Sequence, residues 1–286
     1  MQTTQQTRLA PWSALAWVLV LYLALNFLVI FVLFPSGLLR AISSPTHGLI
    51  SSTLVANVLM LVVVAGFLRL SSGLRLGDMG LRRHGLGVAA GVTFLVWIAL
   101  NLFQATYALV TAAPLIVNPD WGTAGPTRTI GMFLGQILGN ALFEEVLFRG
   151  ILFQQMRLHF LARGGCSPKK ALLLALVISS AVFAAIHVPL RISSGVPLAA
   201  LPAELTLLFA LGLLLALLYW RTGNLYLVIG VHALSNAPFL LVQQQVDLST
   251  NGGITVIASL VLMLLWRRPA TWSSTPLSFA APEPDG

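Results

Sequence analysis

The sequence predicts an all-α, polytopic integral membrane protein with about eight transmembrane helices. Three observations carry this prediction. Of 286 residues, 57% are hydrophobic and only 8% are charged, where a soluble domain has about 25% charged residues. The mean hydropathy is +0.90, so too little polar side chain is present to cover a water-soluble globule of this size. The apolar residues also gather into eight runs, most of them near the ~20 residues that cross a bilayer. Their cores are 13–34, 48–68, 86–108, 130–156, 171–188, 203–220, 225–242 and 253–266. A soluble enzyme, a disordered chain and a disulfide-stapled secreted domain are excluded.

The run at 13–34 is longer than the ~7–15 apolar residues of a signal peptide and no small-x-small cleavage site follows, so it reads as a retained span. Basic residues set the orientation. Arg8 precedes the first span, and Arg69, Arg75, Arg82 and Arg83 fill the second loop. Arg157, Arg163, Lys169 and Lys170 fill the fourth, Arg221 the sixth, and Arg267 and Arg268 follow the last span. That places twelve on one side, against Arg40, Arg128 and Arg191 on the other, with Arg149 inside a span. The positive-inside rule makes both termini cytoplasmic, in the cytoplasmic membrane if the source is bacterial.

The net charge of +8 is therefore mainly a topology signal. No basic cluster tracks phosphates, which excludes nucleic acid. Tyr219 and Trp220 beside Arg221, and Trp266 beside Arg267, fit an interfacial aromatic belt. Leu-Gly-Asp-Met-Gly-Leu-Arg-Arg at 76–83 reads as a cytoplasmic surface turn. The lone Cys166 offers neither a disulfide framework nor a cysteine metal site. The chain divides into N-terminal spans (1–128), a polar-span core (129–245), a last span (246–268) and a Pro/Ser/Thr-rich tail (269–286) expected to be disordered.

Ionisable groups in hydrocarbon are costly, so each is a functional candidate. The fourth span holds Asn140, Glu144, Glu145 and Arg149, the fifth ends in Phe183-Ala-Ala-Ile-His187, and the seventh holds His232-Ala-Leu-Ser-Asn236. Glu145 and Arg149 are spaced i, i+4 with the acid N-terminal, the favourable order for an ion pair. Gln136, Asn140 and Glu144 form a second such line about 100° round the helix, which leaves Glu144 without a cation of its own. Gly131, Gly135 and Gly139 form a third, a small-residue face that admits a close neighbour. His232 and Asn236 project together, and Pro189 and Pro238 should each end or kink a helix just beyond a polar group.

Structural readings compete with these. Glu145–Arg149 reads as a salt bridge locking the fourth span, His187 alone as a core histidine bonded to a carbonyl, and His232/Asn236 as interhelical glue. His47, His84 and His159 fall in loops or at span ends. Asn26, Asn57, Asn101 and Glu204 read as packing or boundary residues. An unpaired Glu144 together with two histidines is hardest to explain structurally.

Glu-Glu-x-x-x-Arg at 144–149, Phe-x-x-x-His at 183–187 and His-x-x-x-Asn at 232–236, in that order, resemble the CPBP family. These are the CaaX-protease and bacteriocin-processing (Abi) membrane proteases, related to the type II CaaX prenyl endopeptidase. The resemblance covers roughly 130–245 and extends to 76–83 and to Thr-Gly-Asn-Leu-Tyr at 222–226. It implies an eight-helix fold with the site between the fourth, fifth and seventh spans. Glu144 and His187 would activate a water, His232 and Asn236 would stabilise the oxyanion, and Glu145 would pair with Arg149 to hold the geometry. The substrate would be a peptide or protein, a prenylated or bacteriocin-type peptide among the candidates, met in the lipid bilayer.

The chemistry is sensible from the residues alone, since hydrolysis needs a base for water and donors where negative charge develops. Two His and one Glu are also legitimate zinc ligands, so a divalent metal such as Zn2+ on Glu144, His187 and His232 is the alternative. The absence of His-Glu-x-x-His, and asparagine's poor zinc affinity, tilt the reading towards metal-independent chemistry. Rival functions are a transporter using Glu144, His187 and His232 as a proton relay, and a non-catalytic immunity or scaffold protein. One distance sits badly with all of this. At ~1.5 Å per residue, the expected span ends put Glu144 ~20 Å, His187 ~24 Å and His232 only ~12 Å from the cytoplasmic face, so they meet only if spans tilt or their ends shift.

Overall fold

The computed structural model describes residues 8–162, 165–247 and 252–266. Arg163, Arg267, Arg268 and the tail at 269–286 lie outside them, so the expectations placed there are not addressed. Among the described residues eight helices form the bundle. They are α1 (Trp12–Leu33), α2 (Ser52–Ser72), α3 (Leu86–Val110) and α4 (Pro126–Ala162), then α5 (Pro168–Ala185), α6 (Leu201–Thr222), α7 (Leu225–Asn236) and α8 (Gly253–Leu265). A short helix, Val188–Ser193, continues α5 after a break at 186–187. Six helices, counting α5 with this continuation, are long and apolar enough to cross a membrane, whereas α7 and α8 have only 12 and 13 residues.

At 12 residues α7 is about 18 Å long, far short of a ~30 Å hydrocarbon core. It is nonetheless the best-covered helix. Leu225 and all residues from Leu227 to Ser235 are buried against α3, α4, α6 and α8. Its start is fixed by Asn224, whose side chain accepts from the Tyr226 and Leu227 amides at 3.1 and 3.4 Å. Its end comes at Asn236, because Pro238 has no amide for a further turn and biases the preceding residue towards extended backbone. The apolar run to 242 therefore overstated this span by six residues.

Irregular backbone inside a membrane protein survives only where protein covers it, and both ends of α7 have such cover. At the start, Leu74, Asp78 and Met79 are buried over the α6–α7 turn, and Asn224 Nδ2 donates to the Gly85 carbonyl at 2.9 Å. Gly150 of α4 presses on the Met79 carbonyl so closely that no Cβ would fit. Residues 76–83 keep the exposed turn expected at Leu76, Arg82 and Arg83 but bury Asp78 and Met79 inward, and Tyr219, buried with its hydroxyl donating to Gln154 Oε1 at 3.1 Å, belongs to the core and not to an interfacial belt.

At the other end, the segment after Asn236 is gripped by α3. Trp97 Nε1 donates to the Phe239 carbonyl (2.8 Å), Asn101 Oδ1 accepts from the Leu241 amide (2.7 Å), and Gln104 Nε2 donates to the Val246 carbonyl (2.8 Å). Gln104 Oε1 also accepts from the Gln245 and Val246 amides at 2.8 and 3.0 Å. From a third side, Asn118 Nδ2 and Trp121 Nε1 both donate to the Leu240 carbonyl, at 3.2 and 2.9 Å.

This recessed α7 removes the mismatch in depth. The fourth helix runs on to Ala162, so Glu144 lies about 27 Å from that end and His187 about 28 Å from Pro168, while His232 is only about 10 Å from the buried start of α7. The glycine face of α4 meets a close neighbour as expected. Gly131 abuts the Gly48 carbonyl, Gly135 the Ser51 hydroxyl, and Gly139 the Leu54 backbone at the start of α2. One feature of α4 had no sequence signal. Its turns widen to π-helical geometry at Gln136–Asn140 and again at Val146–Phe153, on both sides of Glu144 and Glu145.

Candidate functional site

The pair Glu144-Glu145 occupies the short regular stretch Ala141–Glu145 between those two widened turns. Successive helical residues point about 100° apart, and the two carboxylates enter different surroundings. Glu145 is fully buried and its Oε1 accepts twice, from Arg149 Nη1 at 3.0 Å and from His232 Nδ1 at 2.6 Å. The expected Glu145–Arg149 pair is thus one half of a three-membered chain that also holds a histidine. Arg149 Nη2 reaches the Gly212 carbonyl of α6 at 3.3 Å, and its guanidinium carbon lies 4.5 Å from the centre of the Phe183 ring.

Glu144 lies one position earlier and faces a cavity of about 220 Å³ lined also by Asn140, Phe183, His187, His232, Ser235 and Asn236. Its Oε1 is 3.9 Å from His187 Nε2 and its Oε2 is 3.8 Å from His232 Nε2. Both are too long for direct hydrogen bonds, and gaps of this size admit a bridging water. Each histidine is oriented from its far side. His187 Nδ1 donates to the Phe183 carbonyl at 2.7 Å, and His232 Nδ1 donates to Glu145. In both neutral rings Nε2 is then the lone-pair atom, turned towards Glu144.

Asn236 stands at the exposed end of the cavity with its Nδ2 3.3 Å from Gln136 Oε1. His232 and Asn236 share the cavity, but their donors are not equally free, since His232 Nδ1 is committed to Glu145 and the Asn236 amide rests on Gln136. A second, mostly apolar cavity of about 340 Å³ lies on the other side of Glu144 and His187, walled by Tyr22, Phe27 and Phe31 of α1 and Asn57 of α2. The two cavities share Asn140, Glu144, His187 and Leu190.

Sequence reasoning missed the double role of Phe183, whose carbonyl holds His187 while its ring packs edge-on to that imidazole at 4.7 Å and lies beneath Arg149. A phenylalanine four residues before a histidine at the end of an apolar span was the available signal. Ser235 and Thr255 on the cavity wall had none.

Glu144, His187 and His232 are the donors a zinc ion would require. A tetrahedral site with bonds of about 2.0–2.1 Å brings its ligand atoms to about 3.3 Å from one another, closer than the 3.8 and 3.9 Å found. Among the described residues no group of three or more His, Cys, Asp or Glu side chains is arranged to hold a metal ion.

Comparison with curated proteins and with solved structures returns no match. Residues 126–238 match the family described as type II CAAX prenyl endopeptidase Rce1-like. That segment contains every residue of the three motifs, from Glu144 to Asn236. Over that segment the chain is similar to the Rce1-like family of CaaX-type intramembrane proteases.

Proposed function

We propose that this protein hydrolyses a peptide bond within the membrane by means of a water activated at Glu144. The observation that carries the reading is the pair of 3.8–3.9 Å gaps between the two Glu144 oxygens and the two inward-facing Nε2 atoms. A water held there would give its proton to Glu144 and attack a carbonyl carbon entering the cavity, with His187 sharing the proton and later delivering it to the leaving amine. His232 faces the developing oxyanion through Nε2. As an imidazolium it donates there while the Glu145 carboxylate balances its charge, and Asn236, released from Gln136, supplies the second donor.

A peptide or protein met in the lipid bilayer is the substrate the family implies. The apolar chamber behind Glu144 and His187 favours a peptide carrying a prenyl group over an unmodified bacteriocin-type peptide. We also infer cytoplasmic termini from the excess of basic residues in the loops around 69–83 and 157–170. The deciding experiment is cleavage of a peptide library, prenylated and unprenylated, by purified wild type beside Glu144→Ala and His187→Ala. Wild-type turnover lost in both variants supports the reading, and equal turnover by all three removes it.

A further inference from the structure

The end of the bundle that carries the loops around 69–83 and 157–170 is charged almost wholly in one sense. Of its twelve basic residues all but Arg163, Arg267 and Arg268 are described, and Asp78 is the one acid described beside them. At the other end Arg40, Arg128 and Arg191 are matched in number by Asp120, Glu204 and Asp247. Orientation of the chain accounts for an excess of positive charge at one end, but not for where that charge gathers.

Much of it gathers on the segment that covers the start of α7. Asp78 is only 8% exposed, and its Oδ2 accepts from the Arg75 amide at 2.9 Å. The acid is thus turned inward, whereas Arg75, Arg82 and Arg83 are exposed. Gly80, with φ +87°, packs its backbone against the Tyr219 hydroxyl and Leu225. Arg82, two residues on, and Arg157 of α4 both act electrostatically on that hydroxyl, so cations from two separate elements converge over one buried tyrosine. Arg82 Nε donates to the Gly77 carbonyl at 3.3 Å, and Arg8 Nη1 donates to the Gly73 carbonyl at 2.8 Å where the segment begins. These bonds fix the guanidinium groups in place without neutralising them.

We propose that residues 74–85, together with Arg157, form a headgroup site for an anionic phospholipid of the adjoining leaflet, and that its occupancy holds this cover over α7. A phosphate is the acceptor that the planar guanidinium fork fits, and a lipid presents it at the depth of the helix ends. The effect reaches the candidate site through the backbone. The Gly85 carbonyl of the cover takes the hydrogen bond of Asn224, the residue that caps α7, and α7 carries His232. A bound headgroup therefore steadies His232 without entering its cavity. The proposal stands apart from the peptidase reading, since no turnover enters its test.

The test uses the purified full chain in nanodiscs of phosphatidylcholine, alone or mixed with phosphatidylglycerol. Hydrogen exchange of amides in 74–85 and in α7 should slow in the mixed discs. A basic residue near an anionic surface is worth about fivefold in binding. Arg82→Gln/Arg83→Gln should therefore lower the preference for phosphatidylglycerol by about 25-fold and abolish the slowing. Lys169→Gln/Lys170→Gln removes the same charge from the start of α5 and should keep both. Exchange that ignores lipid charge, or an equal loss in the lysine pair, overturns the proposal, because the attraction would then be diffuse. Slowing by inorganic phosphate in phosphatidylcholine discs would make the occupant a free anion and also overturn it. If Arg82→Gln/Arg83→Gln does not fold, Arg157→Gln decides: weaker slowing supports the site, and unchanged slowing overturns it.

Discussion

On α3, Trp97, Asn101 and Gln104 succeed one another at intervals of four and three residues; on α4, Gln136, Asn140 and Glu144 do so at intervals of four. As sequence, the two lines look alike, a polar stripe on an apolar helix. The helices that carry them differ sharply in surroundings, since only 6% of the most apolar stretch of α3 is buried against 50% of that of α4. The α3 stripe is spent on backbone, satisfying amides and carbonyls of the irregular segment after α7. The α4 stripe ends in a carboxylate facing two imidazoles across a cavity. What a buried polar side chain does is decided by what its neighbours leave unsatisfied.

Breaking the α4 side should have the largest effects. Glu144→Ala should lower peptide turnover by about 10²–10⁴-fold, the usual range for a general base, with little change in the thermal unfolding profile of the detergent-solubilised protein. Arg149→Ala strands the buried Glu145 charge and should cost about 3–5 kcal/mol of stability, seen as a large fall in Tm. An unchanged Tm would mean that the Glu145–His232 bond alone holds that chain of charges.

The α3 stripe should give smaller losses and a different signature. Gln104→Leu leaves the Gln245 and Val246 amides without the Gln104 acceptor and the Val246 carbonyl with only the longer bond from Gln244 Nε2 at 3.4 Å, at about 1–3 kcal/mol for each group left unpaired that water cannot reach. Limited proteolysis should then cut within 237–247 well before any other described segment. Gly230→Ala forces a Cβ into Thr93 where α7 meets α3 and should destabilise by about 1–3 kcal/mol. Trp97→Phe removes one hydrogen bond to Phe239, a loss of about 0.5–1.5 kcal/mol. If Trp97→Phe proved as damaging as Glu144→Ala in turnover, the loop clamp would have to be counted part of the site.

Much of the site was legible because its residues are anomalies in their surroundings. Glu144, Glu145, Arg149, His187 and His232 stand out in apolar helices, and the i, i+4 spacing of Glu145 and Arg149 was enough to pair them. The Glu145–His232 bond was not legible, because 87 residues separate the partners and no local periodicity links them. Gln104 escaped notice and Asn101 read only as a packing or boundary residue for the opposite reason, as neutral amides are common on packed helices and their backbone partners lie about 140 residues away. The helix ends misled where apolar composition continued past a structural stop, as it does after Asn236.

Composition by itself determined that this chain is a helical membrane protein, since 24 charged residues in 286 cannot solvate it and backbone in hydrocarbon must satisfy its hydrogen bonds internally. Motif spacing determined which side chains belong together along each helix. Only the tertiary structure decided that α7 is recessed at both ends, that His232 leans on Glu145 and not on solvent, and that Arg191 opens onto the same cavity as Glu144. Each is a relation between separate helices at a shared depth. Such relations depend on where irregular segments such as 74–85 and 237–247 find cover, which is a property of packing and not of any one stretch of sequence.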